Sequence, residues 1–293
     1  MKNRVLVTGL EGFTGVHLED ALQKSGFEVF GTSLNPSTKS NIFTCNITKR
    51  DEIERIVLNV QPTYVIHLAA ISFVGETNAS LIYDVNVMGT ENLLESLLKL
   101  PNAPKKVILA SSATVYGNQK NSVLDETMCP APVNHYGYSK LAMEHLSKTY
   151  FDKLPILITR PFNYTGIGQA EHFLIPKIVK HYKENHPMIE LGNLDVAREF
   201  NDVRDVASWY TQLLLCDHVS NIVNLCSGNA ISLLEVIQHM NHLSGYDINI
   251  HVNPAFVREN EIKLLLGSPQ KLLSFIHAKP AFTIQDTLES LYR

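Results

Sequence analysis

No stretch of this chain is long and apolar enough to read as a transmembrane helix, which needs roughly 18 consecutive apolar residues or more. The N-terminus, "MKNRVLVTG", is a short basic tip running directly into an apolar stretch that glycine ends, so it does not read as a signal peptide. Cysteine is scarce. Cys45, Cys129, Cys216 and Cys226 form no Cys-x-x-Cys pair and no zinc-finger spacing with histidine. Free thiols in a reducing compartment are expected, with a cytoplasmic location and no metal. A basic surplus is missing too: 25 Lys and Arg stand against 29 Asp and Glu, a formal net charge of −4. Without a basic field, no nucleic-acid partner is expected, although a few local arginines suffice for a small anion. Repeats and low-complexity linkers are absent.

What is present is an ordinary globular composition, 45% hydrophobic and 18% charged over 293 residues, enough for one large α/β unit or two coupled lobes. Short apolar runs alternate with amphipathic stretches. "RVLVTG", "FEVFGTS", "NIFTCNI", "PTYVIHLAA", "KKVILASS" and "PILITRPFN" read as strands. Val16 to Ser25, "RDEIERIVLNV", one long helix over 79–100, and "NHYGYSKLAMEHLSKTYF" read as helices between them. Strands rich in Val, Ile and Leu separated by helices predict a doubly wound parallel α/β sheet covered on both faces. The second half reads as helices over "HFLIPKIVKHYKEN", "VRDVASWYTQLLLC" and "ISLLEVIQHMNHLSG", with strands at "MIELGN" and "NIVNLCSG". The expected layout is a dinucleotide-binding domain over 1–165, joined again by segments near 195–228, and a smaller α/β substrate lobe mainly over 166–293.

The most informative local feature is "TGLEGFTG". Gly9, Gly12 and Gly15 follow a strand and open a helix. That arrangement puts backbone N–H groups and a helix N-terminus against an anion, and glycine permits the close approach. On these residues alone, a strand–turn–helix with packing glycines stays open. The second strand ends in "GTSLNPSTKS", where an NAD-preferring site usually carries a carboxylate for the ribose 2′-hydroxyl. None is present there. Thr32, Ser33 and Asn35 can bond a 2′-phosphate and Lys39 is the nearest cation, so NADP(H) is the favoured cofactor, with NAD(H) the alternative.

Tyr136 and Lys140 are four apart and share a helix face. A nearby ammonium favours the phenolate and so lowers the phenol's pKa, and a tyrosine so tuned can trade a proton with an alcohol or carbonyl oxygen while hydride moves at carbon. Ser111 and Ser112, at the end of "KKVILASS", offer a hydroxyl to the same oxygen.

"TGLEGFTG", "HLAA", "SSATVYG", Tyr-x-x-x-Lys and "RPFN", in this order over nearly the whole chain, resemble the extended short-chain dehydrogenase/reductases that act on nucleotide-diphosphate sugars. The resemblance implies a Rossmann fold with Ser112, Tyr136 and Lys140 as the catalytic set. Tyr136 is the acid/base, Lys140 holds the nicotinamide ribose and Ser112 bonds the reacting oxygen. The cofactor-contacting set it implies is Gly9, Gly12, Phe13, Thr14, Gly15, Ser33, Asn46, Ile47, Leu68, Ala69 and Ala70, with Tyr136 and Lys140. Tyr116 and Tyr138 are expected to be packing or rim residues. A homodimer is also implied, through helices near 80–100 and 138–150.

"RPFNYTGIGQ", "GNLDVAREFNDVRDVA", "VNLCSG" and "NPAFVRENEIKLLLGSPQKL" resemble the GDP-4-keto-6-deoxymannose reductases and the neighbouring GDP-mannose 4,6-dehydratases. By that resemblance Arg198 and Arg258 hold the nucleotide diphosphate, for which guanidinium forks are suited. Asn163 contacts the sugar or its phosphates, and Ser72 is a further substrate candidate. The dehydratases carry a Glu two residues after the catalytic Ser or Thr, and here that place is Thr114, too weak a base to take a C5 proton. Reduction of a 4-keto-6-deoxyhexose on a nucleotide diphosphate, the base expected to be guanine, is the leading expectation. A 4-epimerase with retained NAD(H) is the alternative, since "SATV" resembles the UDP-galactose 4-epimerases. A catalytically silent binding protein would show a broken Ser, Tyr, Lys set, and here all three are present.

Overall fold

The computed structural model describes residues 3–72, 78–119, 123–257 and 263–293. Its first half runs β1 (Arg4–Thr8), α1 (Phe13–Lys24), β2 (Glu28–Ser33), β3 (Ile42–Thr44), α2 (Arg50–Val60), β4 (Tyr64–His67), α3 (Ala79–Tyr83), α4 (Gly89–Leu97), β5 (Lys106–Ala110), α5 (His135–Lys148) and β6 (Ile156–Pro161). It continues with β7 (Tyr164–Thr165), α6 (Leu174–Lys183), β8 (Met188–Leu191), β9 (Ala197–Glu199), β10 (Asn201–Asp202), α7 (Val203–Leu215) and β11 (Asn221–Leu225). The chain then closes with β12 (Ala230–Ser232), α8 (Leu233–Ser244), β13 (Asn249–Val252), β14 (Leu264–Leu265), α9 (Gln270–Phe275) and α10 (Ile284–Tyr292).

Among the described residues, seven strands form one parallel sheet in the order β11-β6-β5-β4-β1-β2-β3. Its central strands are apolar on both faces because helices cover both. On one side Leu18 and Leu22 of α1 meet Trp209, Tyr210 and Leu213 of α7 over Val5, Val7 and Ile66. On the other, Ile53 and Val57 of α2, Leu93 and Leu97 of α4 and Met143 of α5 cover Leu6, Val65 and Val107. The fold is the doubly wound Rossmann type. The chain leaves β1 toward β2 and β3, then returns on the other side to β4. Between β1 and β4 the connections therefore diverge, opening a crevice at the carboxyl ends of the strands.

A second core joins α6, α8, α10, β8 and β13 through Tyr182, Ile189, Val236, Met240 and Leu288. β9 pairs there with β12 and β14. Of these strands of two to four residues the sequence marked only β8, at "MIELGN"; the others and the last two helices are too short for it to mark. Among the described residues no helix is long and apolar enough to cross a membrane.

Two elements depart from the sequence expectation, each for a local reason. The helix expected over 79–100 is broken by a π-turn at Asp84–Met88. The buried Asn86 within it turns its side chain onto Ile71, accepting from the Ile71 N–H at 2.8 Å and donating to the Ile71 carbonyl at 3.1 Å. It donates to Ser139 Oγ of α5 as well, at 2.9 Å. The fourth strand stops at His67 rather than Ala70, because the Ala69 N–H turns to the Thr8 side chain at 3.1 Å.

Candidate active site

The glycine loop sits at the crevice. Gly9 follows β1 with φ of +73°, and a Cβ there would lie 3.1 Å from the Ala69 nitrogen. A Cβ at Gly15 would collide with the carbonyl oxygens of Leu10 and Gly9. Gly12 caps α1 without a side-chain bond, and the first turn of α1 carries no acid. The leading N–H groups of a twelve-residue helix thus meet neither a side-chain cap nor an acid of their own first turn, the arrangement by which helix N-termini take up anions. Thr14 Oγ1 meets the Tyr164 hydroxyl at 2.7 Å, and the rings of Phe13 and Tyr164 stack with centroids 5.9 Å apart. The start of α1 is thereby tied to β7. The Leu68 N–H donates to the Thr8 carbonyl at 3.2 Å, with Ala69 and Ala70 following it at the same edge. Asn46 Oδ1 accepts from the Thr48 amide and hydroxyl at 3.1 and 2.8 Å, and the buried Ile47 lies against Gly89.

His67, Thr8 and Thr90 hold this edge together, and the sequence did not single them out. His67 Nδ1 lies 2.7 Å from Thr8 Oγ1, and Nε2 lies 2.9 Å from Thr90 Oγ1. The Thr90 hydroxyl donates its single proton to the Asn86 carbonyl at 2.8 Å. It therefore accepts from Nε2–H, which leaves Nδ1 to accept from Thr8. Burial pushes the His67 pKa down to about 3, helped by the charge of Lys140, so the ring is neutral.

The three expected catalytic residues come together at the ends of β5 and α5. Ser112 Oγ accepts from the Thr114 amide and hydroxyl at 3.2 and 2.9 Å. Its own proton is then free for another acceptor, and the Ser112 hydroxyl lies near enough to the Tyr136 phenol to favour its ionised form. Burial pushes the Tyr136 phenol up to about 12, against the opposing pull of that hydroxyl. Lys140 Nζ donates to the Ala110 carbonyl at 2.8 Å, and burial brings its pKa down to about 8 while Glu144 acts the other way. The expected lowering of the phenol by Lys140 is thus not what governs Tyr136 here; burial is. Ser111 turns away, donating to Glu144 Oε1 at 2.6 Å. Tyr116 is fully buried, its hydroxyl on Asn224 Oδ1 at 2.6 Å, and Tyr138 is exposed.

Asn163 and Arg198 line one cavity of about 300 Å³ with Phe173, Asn193 and Phe256. Arg198 Nη1 donates to the carbonyls of Ala197 and Lys263 at 2.8 and 3.2 Å. The neighbouring Glu199 is not its ion-pair partner; it is fully buried and accepts from the amides of Gly267 and Ser227 at 2.6 and 2.9 Å. Ser72 is exposed beyond the clamped Ile71. Arg258 lies outside the described residues.

The glycine loop brings a carboxylate to the loop that follows β2: Glu11 Oε1 accepts from Ser37 Oγ at 2.7 Å. The folding of loop onto strand end, invisible in the order of residues, brings it there.

The chain matches the model of the NAD dependent epimerase/dehydratase family over residues 5–226. It is 36% identical to GDP-6-deoxy-D-talose 4-dehydrogenase of Aggregatibacter actinomycetemcomitans, over 99% of this chain and 97% of that protein. It is 30% identical to GDP-6-deoxy-D-mannose reductase of Pseudomonas aeruginosa, over 99% of this chain and 96% of that protein. The solved structure of RMD from Pseudomonas aeruginosa complexed with NADPH superposes with a TM-score of 0.87 at 29% identity, covering 100% of this chain and 97% of that one.

Proposed function

This chain belongs to the NAD dependent epimerase/dehydratase family, and from that premise we propose that it reduces the C4 keto group of a GDP-linked 4-keto-6-deoxyhexose. It is an NAD(P)-dependent enzyme of the nucleotide-sugar oxidoreductases and epimerases. The reading rests above all on Ser112 at the end of β5 and Tyr136 and Lys140, one turn apart on α5, standing at the sheet edge that carries the glycine loop, with Lys140 Nζ on the Ala110 carbonyl of β5. The names of the two curated relatives, both acting on GDP-6-deoxyhexoses, support the substrate class.

When bound, the nicotinamide supplies hydride at C4. The chain supplies the rest. Tyr136 holds its proton through neutral pH and gives it to the C4 oxygen as charge develops there. Ser112, its oxygen saturated by Thr114, turns its own proton to the same oxygen. Gly9, Gly12 and Gly15 seat the diphosphate of the cofactor, and Asn163 and Arg198 engage the sugar nucleotide. Thr114 also argues against 4,6-dehydration, since its hydroxyl is held by Ser112 and is no base. "SATV" at 112–115 favours a second reading, 4-epimerisation with retained NAD(H). Two copies pairing through 80–100 and 138–150 complete the proposed enzyme.

The test supplies a GDP-4-keto-6-deoxyhexose with NADH or NADPH and follows loss of the reduced-nicotinamide absorbance. Net oxidation is expected, falling by a factor of about 10² to 10⁴ in Tyr136→Phe. Interconversion of 4-epimers without net cofactor turnover would select the second reading.

A further inference from the structure

In doubly wound sheets the adenosine ribose lies beyond the end of the second strand, where a carboxylate accepts from a 2′-hydroxyl or a cation meets a 2′-phosphate. The charges around that point here come from three separate stretches of chain. Glu11, between Gly9 and Gly12, accepts from Ser37 Oγ at 2.7 Å in the loop that follows β2. A hydroxyl of the loop that would flank a 2′-phosphate is therefore engaged by a carboxylate. Lys39, the cation expected to meet that phosphate, has its Nζ on Glu19 Oε2 at 2.7 Å. Asn41 Nδ2 donates to the other Glu19 oxygen at 3.3 Å, which holds that carboxylate in place. The next cations along the chain, Lys49 and Arg50, pair with Glu52 and Glu95 at 3.6 and 3.2 Å. Formally, Glu11, Glu19 and Lys39 together carry one net negative charge, so Lys39 is not left as an uncompensated cation.

We propose that Glu11 selects NAD(H) over NADP(H), accepting a hydrogen bond from the adenosine 2′-hydroxyl and repelling a 2′-phosphate in the same place. The loop that seats the diphosphate thus also reads the ribose, and the job usually done from the end of β2 is done from the turn after β1. Like charges brought together on binding are disfavoured, more so at low salt because the site is open to solvent. The choice rests on family membership and the cradle, not on the identity of the sugar. It runs opposite to the cofactor in the RMD complex.

The purified protein is titrated with NADH and with NADPH, without sugar, following reduced-nicotinamide fluorescence. NADH is expected to bind about tenfold or more tightly, a preference that shrinks as salt rises. Glu11→Gln is expected to narrow the ratio several-fold, and Glu11→Arg to bring NADPH ahead. Glu11 is exposed, and unchanged thermal midpoints in both variants verify folding. Equal or tighter binding of NADPH by the wild type, or a ratio untouched by Glu11→Gln, overturns the proposal. Because no sugar enters the measurement, a chain inactive toward GDP-4-keto sugars still tests the role of Glu11.

Discussion

Of Tyr136 and Lys140, it is Lys140 whose protonation lies nearer the working range. Burial draws it down to about 8, so it is an ammonium below that pH and neutral above it. Tyr136, at about 12, keeps its proton across the same interval. If the ammonium is needed to hold the nicotinamide ribose and stabilise developing phenolate, kcat/KM for reduction is level on the acid side and falls as pH rises through about 8. A pH–rate series on the wild type and on the residual activity of Lys140→Met checks this. An inflection near 8 that survives in Lys140→Met would assign the titration to another group. The facing groups are few: His67 is neutral at these pH values, and Glu144, one turn along α5, favours the charged lysine.

At the scale of the element, α5 acts as one part carrying Tyr136, Lys140 and Glu144 on successive turns. Its register against the sheet is set by the fully buried Glu144, which accepts from Arg160 Nε at 2.8 Å and Nη2 at 2.7 Å and from Ser111 at 2.6 Å. Arg160 also lies 4.8 Å over the Tyr116 ring. Removing one partner leaves the other charge buried without compensation, so Glu144→Ala is expected to cost about 3–5 kcal/mol. Urea unfolding measures it, and the double variant Glu144→Leu/Arg160→Met should recover much of the loss. A single variant losing less than about 1 kcal/mol would show that the pair does not hold α5 in place. The Tyr136 and Lys140 pair was legible because both lie within one turn of one helix. Their supports were not, since Glu144, Arg160 and Ser111 come from three separate stretches of chain, and Asn86 acts through a π-turn that no periodicity announces.

For the whole molecule, the proposed homodimer has surface to work with. Leu81 and Met88, on the segment before α4, and Tyr138 on α5 are exposed. Sedimentation velocity is expected to give a dimer, and a double charge substitution, Met88→Glu with Tyr138→Glu, to shift it to monomer. A monomeric wild type at micromolar concentration would remove the dimer from the proposal.

The sequence by itself marked the parallel sheet, the glycine loop and the Tyr136 and Lys140 pair on one helix face, and resemblance to the extended short-chain dehydrogenase/reductases added Ser112 as the third member of the proposed set. The first three depend on local periodicity and spacing. Only the tertiary structure decided the tautomer of His67, the burial that governs Tyr136 and the partner of Lys39. It also decided the arrival of Glu11 beside Ser37. Hydrogen bonds and burial depend on distance in space, and the turn after β1 folds onto the end of β2 although the whole of α1 separates them along the chain.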